Sequence, residues 1–280
     1  MNRYNRISKC VCIGLVLLLP LLLQGLGTHW VRIADTALLY VMMALGLNIV
    51  VGFAGLLDLG YVAFYAVGAY MIALLTSSHL TDNFVWISTL FPAGLDAPWW
   101  VTLPLGAVLA GCLGTLLGAP TLKLRGDYLA IVTLGFGEIV RILINNLGHP
   151  INITNGAKGL GPIASISFFG LDLGKRLSFG NYEVASVTLY YYLFLMLAAL
   201  AVTICYRLQD SRIGRAWMAI RDDEIAAEAM GINTRNMKLL AFAIGASFGG
   251  VTGVLFGAFQ GFVSPEAFSL QESVLIVAMV

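Results

Sequence analysis

Hydrophobic residues along this chain form long continuous runs separated by short polar segments, without the alternation that marks a half-buried β-strand. Each run approaches the roughly 20 residues with which an α-helix crosses the hydrocarbon core of a bilayer. Because backbone polar groups in lipid must be satisfied within the protein, continuous apolar runs favour helices over a barrel. We predict an all-α polytopic transmembrane helix bundle with about eight spans. These are 11–27, 33–52, 60–77, 101–119, 128–147, 186–206, 238–261 and 271 onward.

Composition indicates a single transmembrane domain over residues 1–280. With 59% hydrophobic and 11% charged residues, the chain has too few polar side chains to coat a water-soluble globule. The first span has the basic start of a signal peptide, but residues 24–29 offer no clear small-x-small cleavage site, so we expect this helix to be retained. The last run stops before it could cross a membrane, so we expect the chain to be truncated within it.

The net charge of +1 hides an asymmetry that predicts orientation, because cationic loops favour the cytoplasmic side of a membrane. If each span reverses direction, the N-terminus, the loop after the fourth span and the loop 207–237 lie on one side. All three are basic, so we predict that they are cytoplasmic. The cations near the N-terminus and after the fourth span are Arg3, Arg6, Lys9, Lys123 and Arg125.

A short helix is predicted within the loop 207–237. Asp222, Asp223 and Glu224 lie where this helix would begin, which suits the positive end of a helix dipole, and Gly231 is a natural C-terminal stop. A helix of about two turns is marginal alone and needs a surface on which to pack.

Two surfaces could receive this helix, the lipid headgroups or another protein. The helix could lie on lipid headgroups, but its acidic cluster opposes adsorption to an anionic leaflet. We therefore favour docking on another protein, since Ala226 and Ala227 would let such a surface approach closely. Ile225 and Glu228 complete the candidate contact set.

Small residues recur every four positions in two spans, which lets neighbouring backbones approach closely. Tight helix packing is the favoured interpretation, and a substrate passage lined by exposed backbone is the alternative. On the second interpretation Gly249, Gly253 and Gly257 are candidate pathway residues. The two series are Gly106, Ala110, Gly114 and Gly118 in the fourth span and Gly245, Gly249, Gly253, Gly257 and Gly261 in the seventh.

Three charged residues in or near the spans are candidate intramembrane sites. Asp58 lies in the glycine-punctuated segment 48–60, which is either a broken helix around a cavity or a tight turn with Asp58 in the cytosol. Glu138 and Arg141 are three residues apart on one helical face, so we expect an ion pair, structural rather than substrate-binding.

Other chemistry is not expected of this chain. His29, His79 and His149 lie in separate loops without partners at metal-ligand spacing, so we assign no metal. There is no glycine-rich phosphate-binding loop, so any ATP would be bound by another subunit.

The run Ile225-Ala-Ala-Glu-Ala-Met-Gly231 resembles the EAA loop of permease subunits in bacterial ABC importers. In that family a short coupling helix in this loop inserts into a groove of the ATP-binding subunit. Ala226, Ala227 and Gly231 match the usual motif, whereas Ile225 takes the place of its Glu and Glu224 lies one residue earlier.

Several further segments are similar to the branched-chain amino-acid branch of these permeases, the LivM-type subunits. The resemblance runs in register from about residue 40 to the end of the sequence. It is carried by Gly52-Phe-Ala-Gly-Leu-Leu-Asp-Leu-Gly60 and by the segments 124–142, 214–224 and 260–266.

This resemblance implies an importer of leucine, isoleucine or valine in the bacterial inner membrane, with this chain as one non-catalytic permease half. The implied partners are a second homologous permease, two ATP-binding subunits that bind ATP-Mg, an external substrate-binding protein and membrane lipid, but no nucleic acid. A urea or amide importer is the alternative within this class, and an ion-driven secondary carrier is the alternative outside it. The implied coupling residues are Asp222, Asp223, Glu224, Ile225, Ala226, Ala227, Glu228 and Gly231.

Overall fold

A computed structural model describes residues 14–25, 27–92, 94–121, 126–168, 171–179 and 182–280. The predicted all-α class is confirmed. The helices are α1 Gly14–Gly25, α2 Thr28–Asn48, α3 Val62–Thr76, α4 His79–Asn83, α5 Val85–Leu90, α6 Trp99–Thr121, α7 Asp127–Asn146, α8 Ser186–Gln209, α9 Arg212–Asp222, α10 Glu224–Ala229, α11 Thr234–Gln260 and α12 Leu270–Ala278.

Each predicted span coincides with one helix, namely α1, α2, α3, α6, α7, α8, α11 or α12. By length and composition, five helices in the described part of the chain could cross a membrane: α6, α8, α11, most of α7, and α2 with the turn that follows it. The polytopic bundle is confirmed, and the number of crossings stays a prediction. The cations used to predict orientation (Arg3, Arg6, Lys9, Lys123 and Arg125) and the start of the first span lie outside the described residues.

Helix α2 passes into a π-helical turn, Ile49–Phe53, and then into an irregular segment that reaches α3. The turn widens the hydrogen-bond spacing, so that the Ala54 N–H reaches the Ile49 carbonyl at 3.3 Å. Gly55 follows with φ +68°, a conformation that favours glycine. Of the two alternatives for this segment, the structure shows the broken helix.

Helix α11 lies at the centre of the bundle and packs extensively on α3 and α6. Its glycines make this approach possible, because a Cβ at Gly253 would collide with the Tyr65 carbonyl and one at Gly250 with the Gly106 carbonyl. The same holds for a glycine of α6 that faces α11: a Cβ at Gly106 would lie 2.5 Å from a methyl group of Val254. Close packing through small residues is thus the architecture of the core.

Two short antiparallel hairpins precede α8, and neither was predicted. They pair β1 Ser167–Phe168 with β2 Leu171–Asp172, and β3 Leu177–Phe179 with β4 Tyr182–Val184. In the first hairpin the Ser165 hydroxyl donates a hydrogen bond to the Asp172 carboxylate, which lowers the pKa of Asp172. The hairpins lie at the opposite end of α8 from α9.

Candidate functional site

The predicted short helix is present as α10, and side-chain caps determine where it begins. The Asp223 carboxylate accepts hydrogen bonds from the N–H groups of Ile225 at 2.9 Å and Ala226 at 3.0 Å, which satisfies donors that a helix start leaves free. Gly231 follows the helix with φ +85°, a conformation that suits glycine. The prediction of a short capped helix is confirmed, and it starts at Glu224, within the acidic cluster where its beginning was expected.

Helix α10 is held against the start of α11. Lys238 Nζ lies 2.6 Å from Glu224 Oε1, and the lysine side chain is only 8% exposed. The buried Trp217 indole N–H of α9 donates to the Met237 carbonyl at 2.7 Å. These two contacts fix α9, α10 and the first turn of α11 as one unit, and the sequence analysis identified neither.

The exposed face of α10 differs from the predicted one. Ala227 is buried against the rest of the chain, so the interpretation that it meets another protein is wrong. Ala226 and Glu228 are exposed, together with Ile225 and Met230, which are 70% and 83% exposed. Met230 was not predicted as part of the exposed surface, although an apolar side chain in a charged loop could have indicated it. The surface offered to a partner is therefore apolar at its centre, with Asp222 and Asp223 also exposed nearby.

Asp58 lies in the irregular segment after α2 and is 1% exposed, so the interpretation that it faces the cytosol is wrong. One carboxylate oxygen accepts the Gly60 N–H at 2.9 Å, while the other has no hydrogen-bond partner in the described part of the chain. A cavity of about 10 Å³ adjoins it, which is close to the smallest volume that can hold one water molecule. The cavity is lined by Asp58, Gly60, Phe64, Leu117, Thr121, Thr133, Phe136 and Phe242.

The predicted ion pair between Glu138 and Arg141 is confirmed. Arg141 Nε lies 3.1 Å from both carboxylate oxygens of Glu138, and the two side chains are about one-third exposed on α7. The structural role expected for this pair stays a prediction.

The candidate pathway glycines of α11 are packed against α3. A Cβ at Gly249 would lie 3.0 Å from Phe64 Cβ, and one at Gly257 would lie 2.7 Å from a methyl group of Ile72. Helix packing accounts for Gly249, Gly253 and Gly257 in this structure, and a part in a pathway stays a prediction.

Asp35 is an intramembrane carboxylate that the sequence analysis missed. It lies on α2, is fully buried, and neither carboxylate oxygen has a hydrogen-bond partner among the residues that the structure describes. Its position inside a long apolar run was the sequence feature that could have identified it. Ionisable residues buried in membrane spans often belong to functional sites.

A groove with a volume of about 980 Å³ runs along the other face of α2. Polar groups occur along its length, from His29 and Arg32 at one end to Asn48 at the other. Between them the Tyr40 hydroxyl donates to Glu272 of α12 at 2.5 Å. This face of a membrane-spanning helix is thus more polar than contact with lipid alone would require.

A bundle of long apolar helices, with a capped and exposed short helix in a large polar loop, defines a multi-pass membrane protein. Residues 30–280 match the family described as branched-chain amino acid transport system / permease component, and the chain belongs to this family.

Among its relatives is the high-affinity branched-chain amino acid transport system permease protein LivM of Escherichia coli, 43% identical over 262 residues. That alignment covers 89% of this chain and 57% of the relative, so the chain spans little more than half of the length of that protein. LivH of Salmonella typhimurium is 28% identical over 233 residues, covering 81% of this chain and 68% of the relative. A probable LivM of Methanocaldococcus jannaschii is 25% identical over 248 residues, covering 82% and 68%. No solved structure shows a significant match.

Proposed function

We propose that this chain is a permease subunit of an ATP-binding cassette importer for the branched-chain amino acids leucine, isoleucine and valine. It forms half of the translocation pathway in the bacterial inner membrane and has no catalytic activity of its own. Two ATP-binding subunits hold ATP-Mg, a second homologous permease completes the pathway, and an external binding protein delivers the substrate. Membership of the branched-chain permease family supports the substrate class.

The observation that carries the proposal is the form of α10. A helix of six residues is too short to be stable alone, yet this one is capped by Asp223 and tied to α11 through Glu224 and Lys238. Its exposed residues Ile225 and Met230 are apolar, which is unfavourable in water and favourable in a protein groove. A preformed helix with an apolar exposed face is what docking on an ATP-binding subunit requires.

Orientation follows from the same role. The ATP-binding subunits work where ATP is present, so the loop 207–237 and the N-terminus are cytoplasmic. The hairpins at the other end of α8 then face the substrate-binding protein.

An ion-driven carrier is the second candidate, and the two buried carboxylates favour it. Asp35 has two unpartnered oxygens and Asp58 has one, and such groups are typical of coupling-ion sites in carriers. A carrier, however, would have no use for the anchored and exposed α10.

The test is gentle purification of the full-length protein from its native membrane, followed by identification of every chain that accompanies it. We expect an ATP-binding subunit and a second hydrophobic permease. Uptake of labelled valine into liposomes that hold the recovered complex should require ATP. Excess leucine should inhibit this uptake, and excess urea should not. Recovery as a homo-oligomer, with uptake that an ionophore abolishes, would establish the carrier instead.

A further inference from the structure

One side chain of α9 connects the α9–α10 segment directly to the broken end of α2. Arg221, in the last turn of α9 and immediately before α10, donates from Nη1 to the Gly52 carbonyl oxygen at 2.6 Å. The two residues are 169 positions apart in the sequence, so the contact depends on the tertiary fold. Hydrogen bonds from a guanidinium are stronger than neutral ones, so this contact is suited to carrying a displacement.

The stem of the same arginine packs on bare backbone. Gly55 has φ +68°, and a Cβ there would lie 2.6 Å from Arg221 Cγ. The segment 49–61 thus receives Arg221 at two points, a hydrogen bond at Gly52 and van der Waals contact at Gly55.

The far end of the segment 49–61 is attached to two other helices. The Leu59 N–H donates to Thr133 Oγ1 of α7 at 3.0 Å, and the Ser273 hydroxyl of α12 donates to the Leu59 carbonyl. Arg221 meets this segment at a π-turn and at a glycine with positive φ, and the small cavity at Asp58 lies between those points and Leu59. Such features are common where a backbone changes conformation during function.

We infer that Arg221 is a positioning residue through which movement of α10 reaches the segment 49–61, and from there α7 and α12. This inference rests on the proposed function, because it is the ATP-binding subunits that would move α10. The segment 49–61 acts as a relay: it connects the end of α9 to α7 and α12, beside the direct contacts that α9 and α10 make with α11.

The contact can be removed from either side with matched controls. Arg221→Met keeps a long apolar stem over Gly55 and removes the donor, and Arg215→Met is its control because Arg215 Nη1 bonds only locally, to the Asp210 carbonyl at 2.7 Å. Gly55→Ala displaces Arg221, and Gly261→Ala is its control because Gly261 has φ +70° but no atom within 4 Å of a Cβ.

The experiment uses the complete complex in liposomes, with the four native cysteines replaced by serine and the reporter Leu57→Cys, at a side chain that is 38% exposed. Three quantities are measured: leucine uptake, ATP hydrolysis, and the rate at which maleimide labels the reporter with ADP or with a non-hydrolysable ATP analogue. We expect Arg221→Met and Gly55→Ala to lower uptake per ATP hydrolysed by about fivefold or more, the lower range of typical coupling between sites. Both should also abolish the nucleotide dependence of labelling, which the controls retain.

Arg221→Lys keeps a donor and should restore part of the coupling, which a purely structural role of the stem would not predict. It also decides the matter if Arg221→Met does not accumulate in the membrane. Coupling in Arg221→Met and Gly55→Ala equal to that of the active wild type would overturn the relay while leaving the importer intact. A wild-type complex without ATP-dependent uptake would overturn both, since no movement of α10 would exist to be transmitted.

Discussion

Charged residues on the membrane helices occupy two contrasting environments. Glu138 and Arg141 are paired and partly exposed on α7, whereas Asp35 is fully buried on α2 and accepts no hydrogen bond from the described residues. A paired surface charge contributes little to stability, while an uncompensated buried carboxylate is costly and is retained where it has a use. The two sites should therefore respond differently to removal of charge.

The ion pair on α7 should be dispensable. In the double variant Glu138→Gln plus Arg141→Gln, both charges are removed together and neither is left unpaired, so we expect leucine uptake within about twofold of wild type. Uptake in whole cells, normalised to the amount of protein in the membrane, checks this. Abolished uptake at normal abundance would instead assign the pair to gating or to the substrate.

Asp35 should tolerate an amide but not a cation. Asp35→Asn removes a buried charge that Arg32 attracts but that no described residue hydrogen-bonds, so protein abundance and melting temperature should be kept or raised. Asp35→Lys places a longer charged group in the same buried site and should lower abundance severalfold. Quantitative blotting and thermal melting of the purified protein measure both effects. If Asp35→Asn alone abolishes uptake at normal abundance, Asp35 is part of the transport site and the carrier alternative gains support.

At the scale of elements, α11 depends on having almost no side chains where α3 and α6 cross it. The spacing of four along the sequence predicted close approach, and the structure adds which helices approach. Gly245 also meets Val50 at the start of the π-turn, where a Cβ would lie 2.5 Å from a valine methyl group. One helix thus positions α3, α6 and the broken end of α2 together.

Adding a methyl group to this contact should destabilise the bundle. Gly253→Ala forces a Cβ into the Tyr65 carbonyl, so we expect a loss of about 1–3 kcal/mol, typical of overpacking. Gly135→Ala on α7 is the matched control, because no atom lies within 4 Å of its Cβ, and it should be neutral or slightly stabilising. Thermal unfolding of the two purified variants, followed by fluorescence, distinguishes them. Equal melting temperatures would contradict the packing role of α11.

At the scale of the whole molecule, continuous apolar runs predicted the helices well because span length is imposed by the bilayer and does not depend on tertiary detail. The start and end of α10 were equally predictable, since the Asp223 cap and the Gly231 stop both act locally. Contacts between distant positions were not predictable from one sequence. The inward face of Ala227 depends on the anchoring of α10 to α11, and the burial of Asp58 depends on neighbours more than 50 residues away, such as Thr133.

The apolar exposed face of α10 gives a test of assembly. Ile225→Ser plus Met230→Ser should leave the bundle intact and weaken attachment of the ATP-binding subunit by about 2 kcal/mol, or roughly thirtyfold, if these side chains are interface hot spots. Val85→Ser, which also changes an exposed apolar residue but in α5, should have no effect. Co-purification at graded detergent concentration compares the three proteins. Full retention of the ATP-binding subunit in the double variant would mean that α10 docks through another face.

The anchoring of α10 by Glu224 to Lys238, and of α9 by Trp217 to the Met237 carbonyl, also bears on how such transporters can be recombined. Residues in direct contact do not contribute independently, so they must be inherited together. A chimaera that grafts only residues 222–231 from another permease would separate Glu224 from the lysine that holds it. A swap of 212–238 keeps both contacts, and with glycine retained at positions 52 and 55 to receive Arg221 it should carry the choice of ATPase with it.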